Sequence, residues 1–322
     1  MERKNFAILG VGGYIAPRHC AAIKALGHTL VAACDPADSV GILDKYSFDT
    51  AYFREFERFD RHIEKLRRQG GGAKVDYVSI CSPNYLHDAH IRFALRVGAD
   101  AICEKPMVLN PWNCDALQEL EQETGRKINT VLQLRVHPAL IALKQKLEAE
   151  KPAAKHDIRL TYITSRGRWY LVSWKGDPER SGSLATNIGI HFFDLLIWLF
   201  GPVQASEVHY TAPTKCAGFI ELRAARVQWF LSIDRNDLPT EIVDKKQYTL
   251  RSITMDGGEL EFSDGFADLH TTVYRNILAG NGFGVDDVRP SIQLAHDIRT
   301  AQPTGPCSHS HPFLKKAPAS NP

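Results

Sequence analysis

The chain has 322 residues, 44% of them apolar and 24% charged, with 39 Lys and Arg against 37 Asp and Glu and a net charge of +2. That length suits two ordinary globular domains, and the near balance of charge argues against a nucleic-acid or membrane-surface partner. Its seven cysteines form no CxxC pair and several lie in apolar runs, which predicts buried, reduced thiols in the cytoplasm rather than a zinc site or a cysteine nucleophile.

From the N-terminus, MERKNFAILGVGG lacks the order of a signal peptide, because a short apolar run passes straight into glycines. Phe6 to Leu9 is a strand, and the cluster Gly10-Val11-Gly12-Gly13-Tyr14-Ile15-Ala16 links it to a helix over Ala16 to Leu26. Glycines there allow a pyrophosphate to approach the backbone, with the N–H groups of the helix start aimed at it. The match to GxGxxG/A is imperfect, since Ile15 takes the last position and Ala16 follows one residue late. A second strand, Leu30 to Cys34, ends at Asp35, about 20 residues on, where a carboxylate binds ribose hydroxyls and disfavours a 2′-phosphate. A turn explains the glycines alone and a helix cap explains Asp35 alone. Together, in register, they favour a dinucleotide fold that takes NAD.

A helix over Glu55 to Arg68 leads to a strand at Tyr77 to Cys81, then Ser82-Pro83-Asn84 and a helix over Tyr85 to Val97. Ser82, Asn84 and His87 therefore stand at the strand-end edge where doubly wound sheets bind ligands. The plainer reading makes Asn84 a helix cap and His87 a surface residue. A fourth strand, Ala101 to Cys103, ends in Glu104-Lys105-Pro106, where Pro106 holds Lys105 extended at the same edge. Lys105 can hydrogen-bond a substrate hydroxyl, or act as a base if burial and a nearby cation lower its pKa. The plainer alternative is a surface Glu–Lys pair. After a helix over Trp112 to Thr124, started by Asn110 or Pro111, Ile128 to Leu134 is a fifth strand. Strands alternating with helices predict an α/β fold with a parallel, doubly wound sheet.

Beyond Leu134 a helix over Pro138 to Glu150 gives way to strand-like segments: Asp157 to Thr164, Val203 to Thr211, Gly218 to Leu222, Val227 to Ile233, Gln247 to Met255 and Glu259 to Phe262. The alternation Val227, Trp229, Leu231, Ile233 predicts a sheet with one covered face. Helices are predicted over Gly189 to Leu199, His270 to Leu278 and Arg289 to Arg299. The apolar stretch Ile188 to Phe200 contains His191 and Asp194 and is too short to span a bilayer. These segments predict a C-terminal α+β domain with an open, mostly antiparallel sheet. The expected divisions are 1–134, 135–300 and a loose, Pro-, Ser- and His-rich tail over 301–322, whose His309 and His311 could bind a metal but are better explained by a flexible polar tail; no metal is assigned.

In the stretch Gly182 to Asp194, Asn187 and His191 are four apart and share a face if helical, and His191 can take a proton at neutral pH. A packing histidine is the plainer reading. With Glu104-Lys105-Pro106 and Gly189 to Asp194 both present, the chain resembles, over about residues 5 to 300, the glucose–fructose oxidoreductase/inositol dehydrogenase/MocA family of two-domain NAD(P)-dependent sugar and cyclitol dehydrogenases. The segments GYIAPRH, FERFDRHIEKL, SICSPNYLHDAHIRFAL, YITSRGRWY and ATNIGIHFFD are similar to its WlbA-type subgroup, the UDP-N-acetylglucosaminuronate 3-dehydrogenases of surface-polysaccharide synthesis.

The resemblance implies a cofactor site of Gly10, Gly12, Gly13, Tyr14, Ile15, Asp35, Ser82, Asn84, His87, Glu104, Lys105 and Gln133. It implies a catalytic set of Lys105, His191 and Asn187 flanking the reacting carbinol. Asn187 departs from the Asp of the wider family; it can orient a hydroxyl but cannot stabilise an imidazolium by charge, so either Lys105 or His191 is the base. The substrate's carboxylate and diphosphate need cations, for which Arg166 and Arg168 are the candidates, with Arg135 and Gln133 at the domain junction. The resemblance further implies NAD, a uridine diphosphate sugar acid, an aminotransferase downstream and a homo-oligomer, most readily a homotetramer, closed through the exposed sheet face. The alternatives are another sugar or cyclitol dehydrogenase of the family, or a non-catalytic NAD-binding regulator.

Overall fold

In the computed structural model the described residues are 2–38, 40–150, 154–260 and 268–316. The first elements follow in the order β1 (Asn5–Leu9), α1 (Ala16–Ala25), β2 (Thr29–Cys34), β3 (Ala51–Phe53), α2 (Phe56–Gln69), β4 (Tyr77–Ile80), α3 (His87–Arg96), β5 (Asp100–Cys103), α4 (Pro111–Thr124) and β6 (Ile128–Thr130). All six strands pair in parallel in the order β3-β2-β1-β4-β5-β6, which is the doubly wound dinucleotide-binding topology. Continuous apolar runs such as Phe6-Ala7-Ile8 are fully buried because helices cover both faces. α4 begins with Pro111 in its first turn and ends at Gly125 in the left-handed region, as its sequence predicts. β3, Ala51-Tyr52-Phe53, is only three residues long and is not expected from the sequence. The expected strand to Leu134 stops at Thr130, and Gln133–Val136 forms a 3₁₀ turn.

The chain divides into two units: the described residues of Met1–His137 with Gly265–Arg289, and those of Pro138–Asp264 with Pro290–Pro322. The second holds α5 (Pro138–Ala149), β7 (His156–Thr164), α6 (Trp169–Val172), α7 (Pro178–Ser181), a π-helical turn at Ala185–Gly189, α8 (Ile190–Phe200), β8 (Val203–Ala212), β9 (Lys215–Leu222), β10 (Ala225–Ser232), α9 (Thr240–Asp244), β11 (Thr249–Met255) and β12 (Gly258–Glu259). Its sheet runs β12-β11-β7-β10-β9-β8. Only the β7–β10 pair is parallel, so the sheet is mixed and mostly antiparallel. Phe193 of α8 meets Trp229 of β10 edge to face at 5.5 Å. The helix comes this close because position 189 is glycine: a Cβ there would sit 2.7 Å from both Leu231 and Phe193. The helical run Pro178–Phe200 is longer than the stretch seen in the sequence and passes for a membrane span by length and composition; 72% of its most apolar window is buried, as in a core helix. Residues 261 and 262 of the expected last strand lie outside the described residues.

Then follow α10 (Leu269–Leu278), α11 (Val285–Thr300) and α12 (Pro312–Lys316). Two expectations about this region are corrected. α10 belongs to the first unit, because Leu269, Val273, Tyr274 and Ile277 bury in one cluster with Phe6, Ile8, Cys20 and Ile23. The tail is not loose through its described part. Thr304 donates its N–H to Val208 O at 2.8 Å, and Leu314 packs with Ile163, Ala217 and Phe230. His311 hydrogen-bonds Thr161 at 3.0 Å and stacks on Phe230. The second face of the sheet, expected to be bare, is thus partly covered by the chain's own C-terminal segment. Leu314→Ala should lower stability to urea by about 2 kcal/mol, the lower range for a buried leucine. An unchanged unfolding midpoint would mean that the tail does not belong to the folded unit.

Candidate active site

In the first unit the loop between β1 and α1 makes a tight turn, with Gly13 donating its N–H to Gly10 O at 3.0 Å. Gly10 has φ +84°, and a Cβ there would lie 2.6 Å from the backbone of Cys81 and Ser82. Only glycine fits where this loop crosses the end of β4. The extra residue before Ala16 is absorbed in the turn: Ile15 precedes α1 and Tyr14 is 89% exposed. Asp35 lies on the other side of the turn. Its Oδ2 accepts the Gly12 N–H at 2.8 Å and its Oδ1 accepts the Ala37 N–H at 2.9 Å. The carboxylate is thereby fixed beside the glycine turn, as a ribose-binding acid must be.

Along the same edge, Ser82 hydrogen-bonds His90 Nδ1 at 2.8 Å, and burial pushes the His90 imidazole down to about 4. At neutral pH the ring is uncharged, and which of the two groups donates is set by its tautomer. His87 is not a surface residue. It is buried, with Nδ1 2.7 Å from Pro106 O and Nε2 2.8 Å from Ser82 O, so it ties the loop after β4 to the loop after β5. Nor does Asn84 cap α3: it opens a 3₁₀ turn, and the residue before the helix is Leu86. Gln133 turns a buried side-chain oxygen, Oε1, toward no protein partner among the described residues. A glycine cradle, a fixed acid and an unpaired amide oxygen fit a dinucleotide with a carboxamide-bearing ring.

Glu104 is buried among protein partners. Its Oε1 lies 2.9 Å from His19 Nε2 and 3.2 Å from His270 Nε2, and its Oε2 accepts the Lys105 N–H at 3.3 Å. Burial pushes this carboxyl up, but the two imidazole hydrogen bonds outweigh it and hold the group well below the ordinary range. Burial in turn pushes His19 down. The neutral His19 donates Nε2–H to Glu104 and accepts at Nδ1 from the Tyr274 hydroxyl, 2.7 Å away, which is itself 2.6 Å from Ser79 Oγ. The Glu104 carboxylate therefore anchors the backbone that carries Lys105, and the Lys105–Pro106 peptide is cis. Sequence reasoning missed His19, His270 and Tyr274; the GYIAPRH segment contained the first, but nothing local announces the two from α10. Arg135 is occupied within this unit. It donates to Asp287 O at 2.9 Å and lies over the Phe283 ring at 5.4 Å.

In the second unit Asn187 lies in the π-helical turn and His191 in the first turn of α8, so the two do not share one regular helix. Such a turn is common where a side chain must be re-aimed for function. Asn187 Nδ2 donates to the Tyr170 hydroxyl at 2.6 Å, and Tyr170 is buried. Arg166 and Arg168 are exposed in the loop after β7. Beside them Lys175, which sequence reasoning did not single out, has Nζ 4.2 Å from the Trp174 ring centre, and burial followed by the Arg166 charge pushes its pKa down. Trp169 and Trp174 serve this ammonium rather than the core.

Comparison with known proteins agrees with the family and fold. Residues 4–131 match the family model described as "Oxidoreductase family, NAD-binding Rossmann fold", and residues 154–230 match its "C-terminal alpha/beta domain". The WlbA (WbpB) dehydrogenase from Thermus thermophilus, solved with NAD and α-ketoglutarate and also with NAD and UDP-GlcNAcA, is 52% identical with a TM-score of 0.92, covering 96% of this chain and 99% of that one. The WlbA dehydrogenase from Bordetella pertussis shares the fold at 20% identity and TM-score 0.73, over 92% and 95% of the two chains. The D-glucoside 3-dehydrogenase of Escherichia coli is 30% identical over 132 residues, 40% of this chain, and the match spans only 36% of that relative's length.

The His90 environment sets a pH test. The folded pKa lies below the ordinary 6.5, so the native state resists a proton that the unfolded chain accepts. This contribution to stability is complete above 6.5 and is lost as the pH falls toward about 4. His90→Gln should remove on the order of 2 kcal/mol from the acid dependence across that window, read by urea unfolding at several pH values. Parallel stability–pH curves for the two proteins would contradict the assignment.

Proposed function

Since the chain belongs to the GFO/IDH/MocA oxidoreductase family, we propose that it is an NAD-dependent sugar-nucleotide dehydrogenase that oxidises the 3-hydroxyl of UDP-N-acetylglucosaminuronate to a ketone. The observation that carries this reading is the likeness, over nearly the full length of both chains, to a dehydrogenase solved with NAD and UDP-GlcNAcA. Bound NAD supplies the hydride acceptor. Gly10, Gly12, Gly13 and Asp35 hold its adenosine and pyrophosphate end, with Ser82, Asn84 and Gln133 along the remaining edge. The same edge carries Lys105, whose backbone is anchored by Glu104.

Lys105 hydrogen-bonds the 3-hydroxyl and His191 takes its proton; Asn187, held by Tyr170, orients the sugar. The Tyr170 contact supports Asn187 as a positioning group rather than a remnant of the family's Asp. Arg166, Arg168 and Lys175 supply positive charge for the sugar carboxylate and diphosphate. Reoxidation of the reduced cofactor by a small 2-oxo dicarboxylate, such as the Thermus relative holds, would let the enzyme turn over without releasing it. A 3-keto sugar acid suits a downstream aminotransferase, and we place the reaction in lipopolysaccharide or O-antigen assembly. A cytoplasmic location fits seven unpaired cysteines. A homotetramer would close over the part of the second sheet's face that the tail leaves uncovered.

The reading is tested by NADH formation from NAD and UDP-N-acetylglucosaminuronate, coupled to an aminotransferase that removes the ketone. Turnover should require the carboxylate, so that UDP-N-acetylglucosamine is inert. NAD binding without turnover would send the assignment to another sugar or cyclitol. Lys105→Ala and His191→Ala should each cut kcat on the order of 10²-fold. An unaltered pH–rate profile in the His191 variant would remove it as the proton acceptor. Asp35→Ala should raise KM for NAD about tenfold, the loss of a charged hydrogen bond, with a much smaller effect on the sugar's KM.

A further inference from the structure

The second unit contains a cluster that the dehydrogenase reading does not use. Glu207 and His209 project from β8, an edge strand of the sheet, and Cys307 and His309 come from the tail that lies along it. One donor atom from each, two imidazole nitrogens, a sulfur and a carboxylate oxygen, all fall within 4.8 Å of one another. His209 is the extra residue of a bulge between Val208 and Tyr210, and it is buried to 1% exposure. A bulge at a sheet edge is a device for re-aiming a side chain.

Three of the six donor–donor separations come close to tetrahedron edges. Glu207 Oε2 is 3.3 Å from His209 Nε2 and 3.0 Å from His309 Nε2, and Cys307 Sγ is 3.4 Å from His209 Nε2. Ligands at about 2.0 Å for nitrogen and oxygen and about 2.3 Å for sulfur around a tetrahedral ion stand roughly 3.3–3.6 Å apart. His209 Nε2 faces both the Glu207 oxygen and the Cys307 sulfur, a convergence of donor atoms on one point that a single cation can bridge.

The surrounding groups agree. His209 Nδ1 lies 3.0 Å from Ser310 Oγ, which also accepts the Cys307 N–H at 2.9 Å and lies 3.4 Å from Cys307 Sγ. With Nδ1–H donating to Ser310, the Nε2 lone pair is left for a metal, and the Ser310 hydroxyl proton can point at a thiolate. An outer hydrogen bond of this kind fixes the ligating tautomer in many zinc sites.

We propose that Glu207, His209, Cys307 and His309 bind one zinc ion, which staples the C-terminal tail to the edge strand. Mixed sulfur, nitrogen and oxygen donors in tetrahedral array select zinc over magnesium or calcium. Four protein ligands make the site structural rather than catalytic. The proposal stands independently of the sugar substrate.

The test uses the full chain, purified without a metal-affinity step, incubated with zinc sulfate and dialysed. Mass spectrometry of the metal should find about one zinc per chain. Cobalt in its place should give a sulfur-to-cobalt charge-transfer absorption that Cys307→Ser abolishes. Cys307→Ser and His309→Gln should each lose zinc and lower the thermal midpoint, while a chelator lowers the midpoint of the parent and not of the variants. The His309 variant serves should the Cys307 variant fail to fold. A folded parent, by circular dichroism, that retains no zinc overturns the proposal. So does zinc retained in full by both variants.

Discussion

The arrangement on which the first unit's chemistry depends is a buried carboxylate. Glu104 sits at the end of β5 with almost no access to water, and an ionised group there is stable only when its oxygens are hydrogen-bonded. His19 from α1 and His270 from α10 meet that need, and Tyr274 and Ser79 complete the line of donors behind His19. A helix opening after the glycine turn, a strand end at the ligand edge and a helix from far along the chain are locked by one anion. The next residue is Lys105. The direction of the Lys105 backbone is set in part by this carboxylate, which accepts its N–H.

This network also explains where the sequence was legible and where it was not. Five of the six strands are marked by apolar runs, such as those ended by glycine, Asp35 or Ser82-Pro83-Asn84, signals that lie within a few residues of what they specify. Lys105 and Glu104 were found together because they are adjacent. The anchoring role of Glu104 was invisible, since its partners lie 85 and 166 residues away. The same distance hid the membership of α10. Its apolar spacing announces a helix with one buried face, and nothing in a helix says which sheet that face will meet.

In the second unit local pattern was again sufficient for strands and insufficient for faces. The alternation through Val227, Trp229 and Leu231 gave the face that α8 covers, but Phe230 between them is as buried as they are. Asn187 and His191 illustrate the cost of assuming regular geometry. Four residues apart means one face only in an α-helix, and the π turn breaks that relation while bringing Asn187 to Tyr170.

The tail was misjudged for a physical reason worth following. Pro, Ser and His in aperiodic order signal a segment that cannot bury enough apolar surface to order itself. That inference holds for the segment alone, and it fails when a preformed surface supplies the partners. β8 is an edge strand whose backbone carbonyl at Val208 accepts from Thr304, so the tail shields part of an edge that would otherwise be open to pairing with another chain. Leu314 and Phe313 then reach the same apolar patch as Phe230. Few apolar residues make this contact, so much of the segment's order must come from polar groups, and Cys307, His309 and Ser310 are the polar groups that meet Glu207 and His209. A low-complexity tail becomes specific when its donors match a cluster on a rigid strand, and the match is a matter of angle and distance that composition cannot express.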